Sequence, residues 1–501
     1  MLDLLLVPIA VIYLAVVMLL FVYGINFFYL CYLAWRHRRI RDETPPLTEL
    51  PRVTIQLPIY NELYVAERLI NAAARLDYPA HLFDIQVLDD STDETRQLVH
   101  HAVEHWRARG IDITHLHRAE RSGYKAGALA RGLTSARGEF IAFFDADFVP
   151  PPDFLKRTLP HFHNPRVAFT QTRWAHLNRD YSFLTVLQSL SIDAHFAVEQ
   201  FARSHGRYWF NFNGTAGVWR RAALVDAGGW TADTLTEDLD LSYRAFLRGW
   251  EAKYLREVAT PAELPVNFSA YRRQQYRWAR GSLECAIKLL PQIWQAPISL
   301  AEKVQASLHL TGYGVHLLMF ALAILYPLAL VLSQRFPGLI ALFGLATIFN
   351  ATAFAPTFFF TLGQQQLGRD WRRALPAILF ITILGAGMMI NTLRAALEIF
   401  FRPHTAFERT PKFGIETRDT NWTHRRYQLK LDAVVYLEVA FALFNLGTAF
   451  LAVYFGNYLI AIYASLFCAG LLFTSGITIA QAIQVYSSRE RARTIAPANA
   501  Q

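Results

Sequence analysis

Apolar residues along this chain fall into two regimes. From Leu4 to Ala34 they run almost unbroken and stop at Arg36, Arg38, Arg39 and Arg41. A helix over that stretch, rising about 1.5 Å per residue, is long enough to cross about 30 Å of hydrocarbon. Further runs lie at Leu310–Leu332, Leu339–Leu362, Leu375–Phe400, Ala433–Phe455 and Leu459–Val485. Between the first run and the rest, from Pro46 to Gln295, apolar stretches become short and are separated by polar ones. Val53–Leu57, Ile85–Leu88, Asp112–Leu116 and Phe140–Phe144 read as strands, Leu63–Leu76 and Gln97–Arg109 as amphipathic helices. That alternation predicts an α/β domain with a mostly parallel sheet and helices on both faces. Ligands of such sheets bind beyond the carboxyl ends of the strands.

Charge orders these segments across a membrane. Asp3 precedes the first run and the arginines follow it, the reverse of a secretory signal, so the run reads as an uncleaved anchor with its N-terminus outside. Arginine-rich segments recur at Arg369–Arg373, Arg402–Lys430 and Arg489–Arg493 and cannot all be cytoplasmic if every run crosses. Placing the longest, Arg402–Lys430, inside requires an even number of crossings between the cytoplasmic α/β domain and it. Part of Leu375–Phe400, interrupted by Arg394 and Glu398, is therefore expected in the interface. The expected layout is an anchor over 1–35, a cytoplasmic α/β domain over 46–285, interfacial helices over 286–308 and transmembrane and interfacial helices over 309–400. A cytoplasmic loop over 402–431, a transmembrane hairpin over 433–485 and a cytoplasmic tail over 486–501 complete it.

Composition agrees with a mixed chain. Of 501 residues, 53% are hydrophobic and 18% charged, which excludes a disordered chain and argues against a wholly soluble one. A mean hydropathy only slightly above zero is too low for membrane throughout. Cys31, Cys285 and Cys468 form no close pair, so neither a disulfide framework nor a zinc knuckle is expected. The net charge of +9 reads as topology determinants, with membrane lipids as partners and no nucleic acid. No Walker loop, G-x-S-x-G or H-E-x-x-H occurs, and His101, His105, His115 and His117 read as surface residues.

The chemistry-bearing candidates follow the predicted strands. Asp89-Asp90 closes the second strand; these carboxylates suit either helix capping or hydrogen bonds from a nucleotide. Asp145-Ala-Asp147 ends the fourth strand before Pro150-Pro-Pro152, and its two carboxylates suit either a turn or a hard divalent cation. Lys125, at a predicted helix start, opposes the helix dipole unless an anion lies there; it reads equally as an exposed lysine. Asp238, in Thr236-Glu-Asp238, is either an ordinary first-turn acid or a general base. Gln274, Arg277 and Trp278 share one side of a helical stretch, suiting a sugar platform or an interfacial anchor.

Taken in order, these motifs resemble the family 2 glycosyltransferases, in particular the plant cellulose synthase-like A group that makes mannan and glucomannan. The matching segments are Gln56–Glu62, Gln86–Asp93, Gly123–Leu129, Phe144–Phe148, Phe212–Arg220, Glu263–Pro265 and Gln274–Trp278. The resemblance implies a GT-A fold inserted between membrane helices and an inverting sugar transfer from a nucleotide sugar. It implies Tyr60, Glu62, Asp89 and Asp90 as nucleotide-binding residues, Lys125 as a diphosphate contact, and Asp145 and Asp147 as ligands of Mg²⁺ or Mn²⁺. Asp238 takes the place of the catalytic base, and Gln274, Arg277 and Trp278 that of the acceptor site. Phe407–Lys412 also resembles the gating loop F-x-V-T-x-K of bacterial cellulose synthase. Thr410 and Lys412 thereby become donor-side residues, although Arg409 stands where Val is usual.

The expected activity is processive transfer of hexose from GDP-mannose or UDP-glucose to a growing β-linked polysaccharide, β-1,4 by the resemblance, with export across the cell membrane. Two departures limit the likeness. The tail after Val485 is too short for a cyclic-di-GMP-binding domain, and a single span precedes the catalytic part. Two other readings are a glycosyltransferase that adds one sugar to a lipid, and a transporter whose soluble domain senses nucleotide sugars. Neither inverted repeats nor paired broken helices favour the transporter. The sequence names no accessory secretion protein.

Overall fold

A computed structural model describes residues 2–40, 44–46, 49–335, 350–402, 407–428 and 431–495. Its centre is a seven-stranded sheet: β1 Val53–Ile59, β2 Phe83–Asp89, β3 Ile113–His117, β4 Phe140–Phe143, β5 Val167–His176, β6 Gly217–Arg220 and β7 Glu251–Ala262, in the order β3-β2-β1-β4-β6-β5-β7. The alternation along β1 explains its two faces. Val53, Ile55, Leu57 and Ile59 pack with Leu69, Ile70 and Ala73 of the helix Ala66–Ala74. Thr54 and Gln56, on the other face, are buried but paired: Thr54 Oγ1 donates to Asp84 and Gln56 Nε2 to Gln86 Oε1 at 2.9 Å.

The sheet is mostly parallel, as expected, with one reversed strand. β1 to β4 run parallel, whereas β6 is antiparallel to both β4 and β5, and β5 is parallel to β7. The reversal of β6 has a consequence for function. Gly217, where β6 begins, is paired with Phe143, where β4 ends. The loop before β6 thus reaches the sheet edge where the carboxyl ends of the other strands lie, and the motifs after β1, β2, β4, β5 and β7 meet it there.

Among the described residues, five helices are long and apolar enough to cross a membrane: Pro8–His37, Gly314–Arg335, Trp371–Phe401, Val434–Tyr454 and Tyr458–Ser488. They make the chain a multi-pass membrane protein. The apolar run expected at Leu339–Leu362 lies outside the described residues as far as 349; its described part is a 3₁₀ helix, Asn350–Phe354, followed by the helix Ala355–Gln366. The segment Trp371–Phe401 divides at Met388 into two helices. The first approaches the last helix of the chain through glycine: a Cβ on Gly387 would lie 2.3 Å from the Gly470 carbonyl oxygen. The second, Met389–Phe401, lies along the helix Phe268–Gln295, where the Tyr276 hydroxyl donates to Glu398 Oε2 at 2.6 Å and Asn391 Nδ2 to the Arg272 carbonyl at 3.2 Å. Arg272 is itself buried against Glu438 of Val434–Tyr454 and donates to Thr478 Oγ1 at 3.0 Å. The soluble domain is therefore joined to the membrane helices through a buried ion pair.

Candidate active site

One cleft at the strand ends is lined by Tyr60, Glu62, Asp90, Lys125, Asp145, Asp147, Asp238, Gln274, Arg277, Trp278, Thr410 and Lys412. Thirteen positions were expected from sequence to form the site, and Asp89 alone is absent from this lining. It is fully buried at the end of β2, where it accepts from the Ser91 backbone N–H at 2.8 Å and pairs with His115 Nε2 at 2.8 Å. Burial alone would raise its pKa, but the His115 and Ser91 hydrogen bonds outweigh it and hold the carboxylate below its usual range. His115, expected on the surface, is thus a half-buried partner of Asp89.

The carboxylates of the D-x-D pair are each faced by an ammonium. Lys125 Nζ lies 2.6 Å from Asp145 Oδ1 and donates to the Gly214 carbonyl at 3.0 Å. Lys412 Nζ lies 2.7 Å from Asp147 Oδ2 and also donates to the Glu263 carbonyl. Burial would depress the Lys125 ammonium, but Asp145 and then Glu237 raise its pKa above the ordinary lysine value. The pair fits a divalent cation by this standard: two hard oxygen donors open to a cleft, drawing positive charge from both sides. No group of three or more His, Cys, Asp or Glu suited to a metal occurs among the described residues. A cation held here would take its other ligands from phosphate and water, the habit of Mg²⁺ and Mn²⁺ at nucleotide sites.

Asp238 opens the helix Glu237–Leu247. Burial, with the neighbouring charge of Glu237, pushes its pKa up to about 7 against the pull of Lys125. A carboxylate with that pKa is a base matched to neutral pH. The loop before β6 is shaped around it. Gly214 has φ +75°, and a Cβ there would stand 2.9 Å from Asp238 Oδ2 and 3.3 Å from Lys125 Nζ. The neighbouring Thr215 Oγ1 accepts from the Asp145 N–H at 2.9 Å, fixing the two loops together.

The remaining walls come from distant parts of the chain. On the helix Phe268–Gln295, Arg277 Nη2 donates to Thr410 Oγ1 at 2.7 Å, and its guanidinium lies 4.5 Å from the Phe407 ring centre. Arg409 pairs with Glu62 at 3.1 Å, yet burial still pushes Glu62 up to about 8. Asp90 accepts from Arg118 Nε at 2.7 Å and Nη2 at 2.6 Å, and the Arg121 guanidinium lies 3.6 Å from the Tyr60 ring centre. Arg118, Arg121 and Glu237 were not expected as site residues. The two arginines lie in a loop without a motif, and Glu237 reads as a helix-start acid.

A second cavity meets the first. Trp174, Ile192, Asn213, Thr236, Asp238, Gln274 and Trp278 line both. Asp145 and Asp147 line only the first, whereas Asn26 and Phe27 of the first membrane helix, with Tyr313, His316 and Phe359, line only the second. Asp238 therefore stands where a charged cleft joins one with both aromatic and polar walls that leads among the membrane helices.

Residues 51–281 match glycosyltransferase-like family 2. Glucomannan 4-beta-mannosyltransferase 2 of Arabidopsis thaliana is 45% identical over 257 residues, 50% of this chain and 48% of the relative. Glucomannan 4-beta-mannosyltransferase 1 of Oryza sativa subsp. japonica is 44% identical over 261 residues, 51% of this chain and 50% of the relative. The chain thus spans about half the length of the curated relatives it matches. Mannosyltransferase PcManGT from Pyrobaculum calidifontis, solved with GDP-Man and Mn²⁺, superposes with a TM-score of 0.51 at 22% identity, over 79% of this chain and 99% of that one. That likeness identifies the soluble fold as GT-A.

Proposed function

We propose, on the premise that residues 51–281 are a family 2 glycosyltransferase domain, that the whole chain is an inverting, processive polysaccharide synthase of the cell membrane. The observation that supports it is the position of Asp238 at the junction of the two cavities. One cavity has the charges a nucleotide diphosphate needs, and the other has aromatic walls suited to the apolar faces of sugars.

In this reading Tyr60, Glu62 and Asp90 receive the nucleotide, Asp89 orients the turn beside it, and Lys125, Thr410 and Lys412 serve the diphosphate. Asp145 and Asp147 would hold Mg²⁺ or Mn²⁺, which when bound supplies positive charge to the departing diphosphate. Asp238 removes the proton of the attacking acceptor hydroxyl as that oxygen displaces the diphosphate at the anomeric carbon. A single displacement needs one base and forms no glycosyl-enzyme bond. Trp278 and Gln274 hold the terminal acceptor sugar, with Arg277 tying that wall to the loop through Thr410. The second cavity then carries the growing chain from a cytoplasmic catalytic domain toward the membrane helices.

Mannose is the hexose named for the curated relatives, so GDP-mannose is the first donor to test and UDP-glucose the second. Membrane vesicles are offered each labelled donor with Mg²⁺ or Mn²⁺, and the product is digested with linkage-specific hydrolases. The reading expects a long polymer cut by a β-1,4-mannanase or a β-1,4-glucanase. Label confined to single sugars on lipid would overturn processivity, and no turnover of any donor would overturn the enzyme reading.

A further inference from the structure

The second cavity has polar residues that the transfer step does not use. His195 and Glu199 line it beside Asn213, and both belong to a π-helical turn, His195–Gln200, between the helices Phe183–Ala194 and Phe201–His205. Single π-turns are rare and concentrate at functional sites, because the extra residue re-aims side chains.

A chain of hydrogen bonds settles the chemistry of the pair. Gln200 Nε2 donates to the Asn211 carbonyl at 2.9 Å and to Asn213 Oδ1 at 2.7 Å. Asn213 must then present its Nδ2–H₂ to His195 Nε2, 3.2 Å away, so that ring nitrogen accepts. With Nε2 accepting, the ring N–H of His195 is on Nδ1, which donates to Glu199 Oε2 at 3.0 Å. Glu199 Oε1 accepts from Arg203 Nε at 3.1 Å. Burial would raise the pKa of Glu199, but His195 and Arg203 hold it far below the usual range. The result is an ionised carboxylate with one protein donor on each oxygen and 21% of its side chain open. Its unused lone pairs accept hydroxyl protons, and the cavity's aromatic residues Tyr271, Trp278 and Tyr313 offer ring faces.

We propose that Glu199 is a specificity-determining residue that binds ring hydroxyls of an acceptor sugar behind the terminal one, with His195 and Arg203 positioning its carboxylate. Glu199 lines only the second cavity, whereas Asp238, Gln274 and Trp278 line both, so a sugar whose hydroxyl reaches Asp238 leaves Glu199 to the next unit of the chain. This inference rests on the polymerase reading above, and its test separates the two.

The full-length protein in nanodiscs is given GDP-mannose with either β-1,4-mannotetraose or methyl β-mannoside as acceptor. Glu199→Gln removes the charge at constant volume. The expected result is a rise of about tenfold or more in KM for the tetrasaccharide, the size of a lost charge-assisted hydrogen bond. KM for the monosaccharide glycoside and for the donor shifts less than about twofold, within the scatter of a change with no direct contact. His195→Gln, which keeps the carboxylate but loosens it, gives a smaller rise, and Glu199→Asp an intermediate one. An equal rise for both acceptors, no rise for either, or loss of donor affinity in Glu199→Gln and Glu199→Asp alike would overturn the assignment. Failure of the wild-type protein to extend any tetrasaccharide, with sugar transferred to lipid instead, would overturn the polymerase reading and this inference with it.

Discussion

Lys412 Nζ lies 2.7 Å from Asp147 Oδ2, a contact that places the loop after the helix Met389–Phe401 on the second carboxylate of the D-x-D pair. An ammonium and a divalent cation compete for the same oxygen. Lys412→Ala is therefore expected to tighten donor-free Mn²⁺ binding by about tenfold or more, since two unit charges near 4 Å interact by up to about 4 kcal/mol at a protein surface. Electron paramagnetic resonance of free Mn²⁺ measures this directly. Donor KM should move the opposite way and rise, because the diphosphate loses a cation. Unchanged Mn²⁺ affinity would separate Lys412 from the metal site.

Gly214 tests how closely the loop before β6 is fitted to the base. Its φ of +75° disfavours a side chain, and the added Cβ of Gly214→Ala would press on Asp238 Oδ2 at 2.9 Å. The backbone cost is about 1–2 kcal/mol, too little to unfold the domain. Transfer should nevertheless fall about 10²-fold, the usual effect of displacing a catalytic group by an ångström. Donor binding measured by calorimetry, beside initial rates, distinguishes the two effects.

The raised pKa of Asp238 sets a pH dependence. A base works only when unprotonated, so kcat/KM for the acceptor should fall about tenfold per unit as pH drops below about 7, the value burial and Glu237 impose. Lys125 favours the charged carboxylate, so Lys125→Gln should move that limb to higher pH. A profile flat from pH 5.5 to 8 would be inconsistent with Asp238 as the base.

Much of the site was readable from sequence because it follows strand ends. Asp145, Asp147, Asp89 and Asp90 close predicted β-runs, and a parallel sheet gathers such ends at one edge. The antiparallel course of β6 was not readable, since four residues, Gly217–Arg220, carry too little pattern to fix direction. Nor were contacts spanning the chain, such as Arg409 with Glu62 or Arg277 with Thr410, which depend on packing of the membrane helices. His195 and Glu199 lie on a π-turn, and a 3.6-residue period cannot reveal one.

The buried pair Arg272–Glu438 should couple the helix Phe268–Gln295 to the helix Val434–Tyr454. Glu438→Gln leaves Arg272 without a counter-charge and should cost about 3–5 kcal/mol, seen as an earlier unfolding midpoint in detergent. The double variant Arg272→Met with Glu438→Leu removes both charges and should recover most of that stability. Equal loss in the single and double variants would argue against the pair as the origin.

The most direct test of the account is transfer by Asp238→Asn, which keeps size and hydrogen-bonding groups but removes the base. Labelled GDP-mannose binding should stay within about threefold of wild type, while polymer formation falls by at least the 10²–10⁴ that general-base catalysis contributes. Polymer made by Asp238→Asn at a rate near that of the wild type would contradict the assignment on which the proposed mechanism stands.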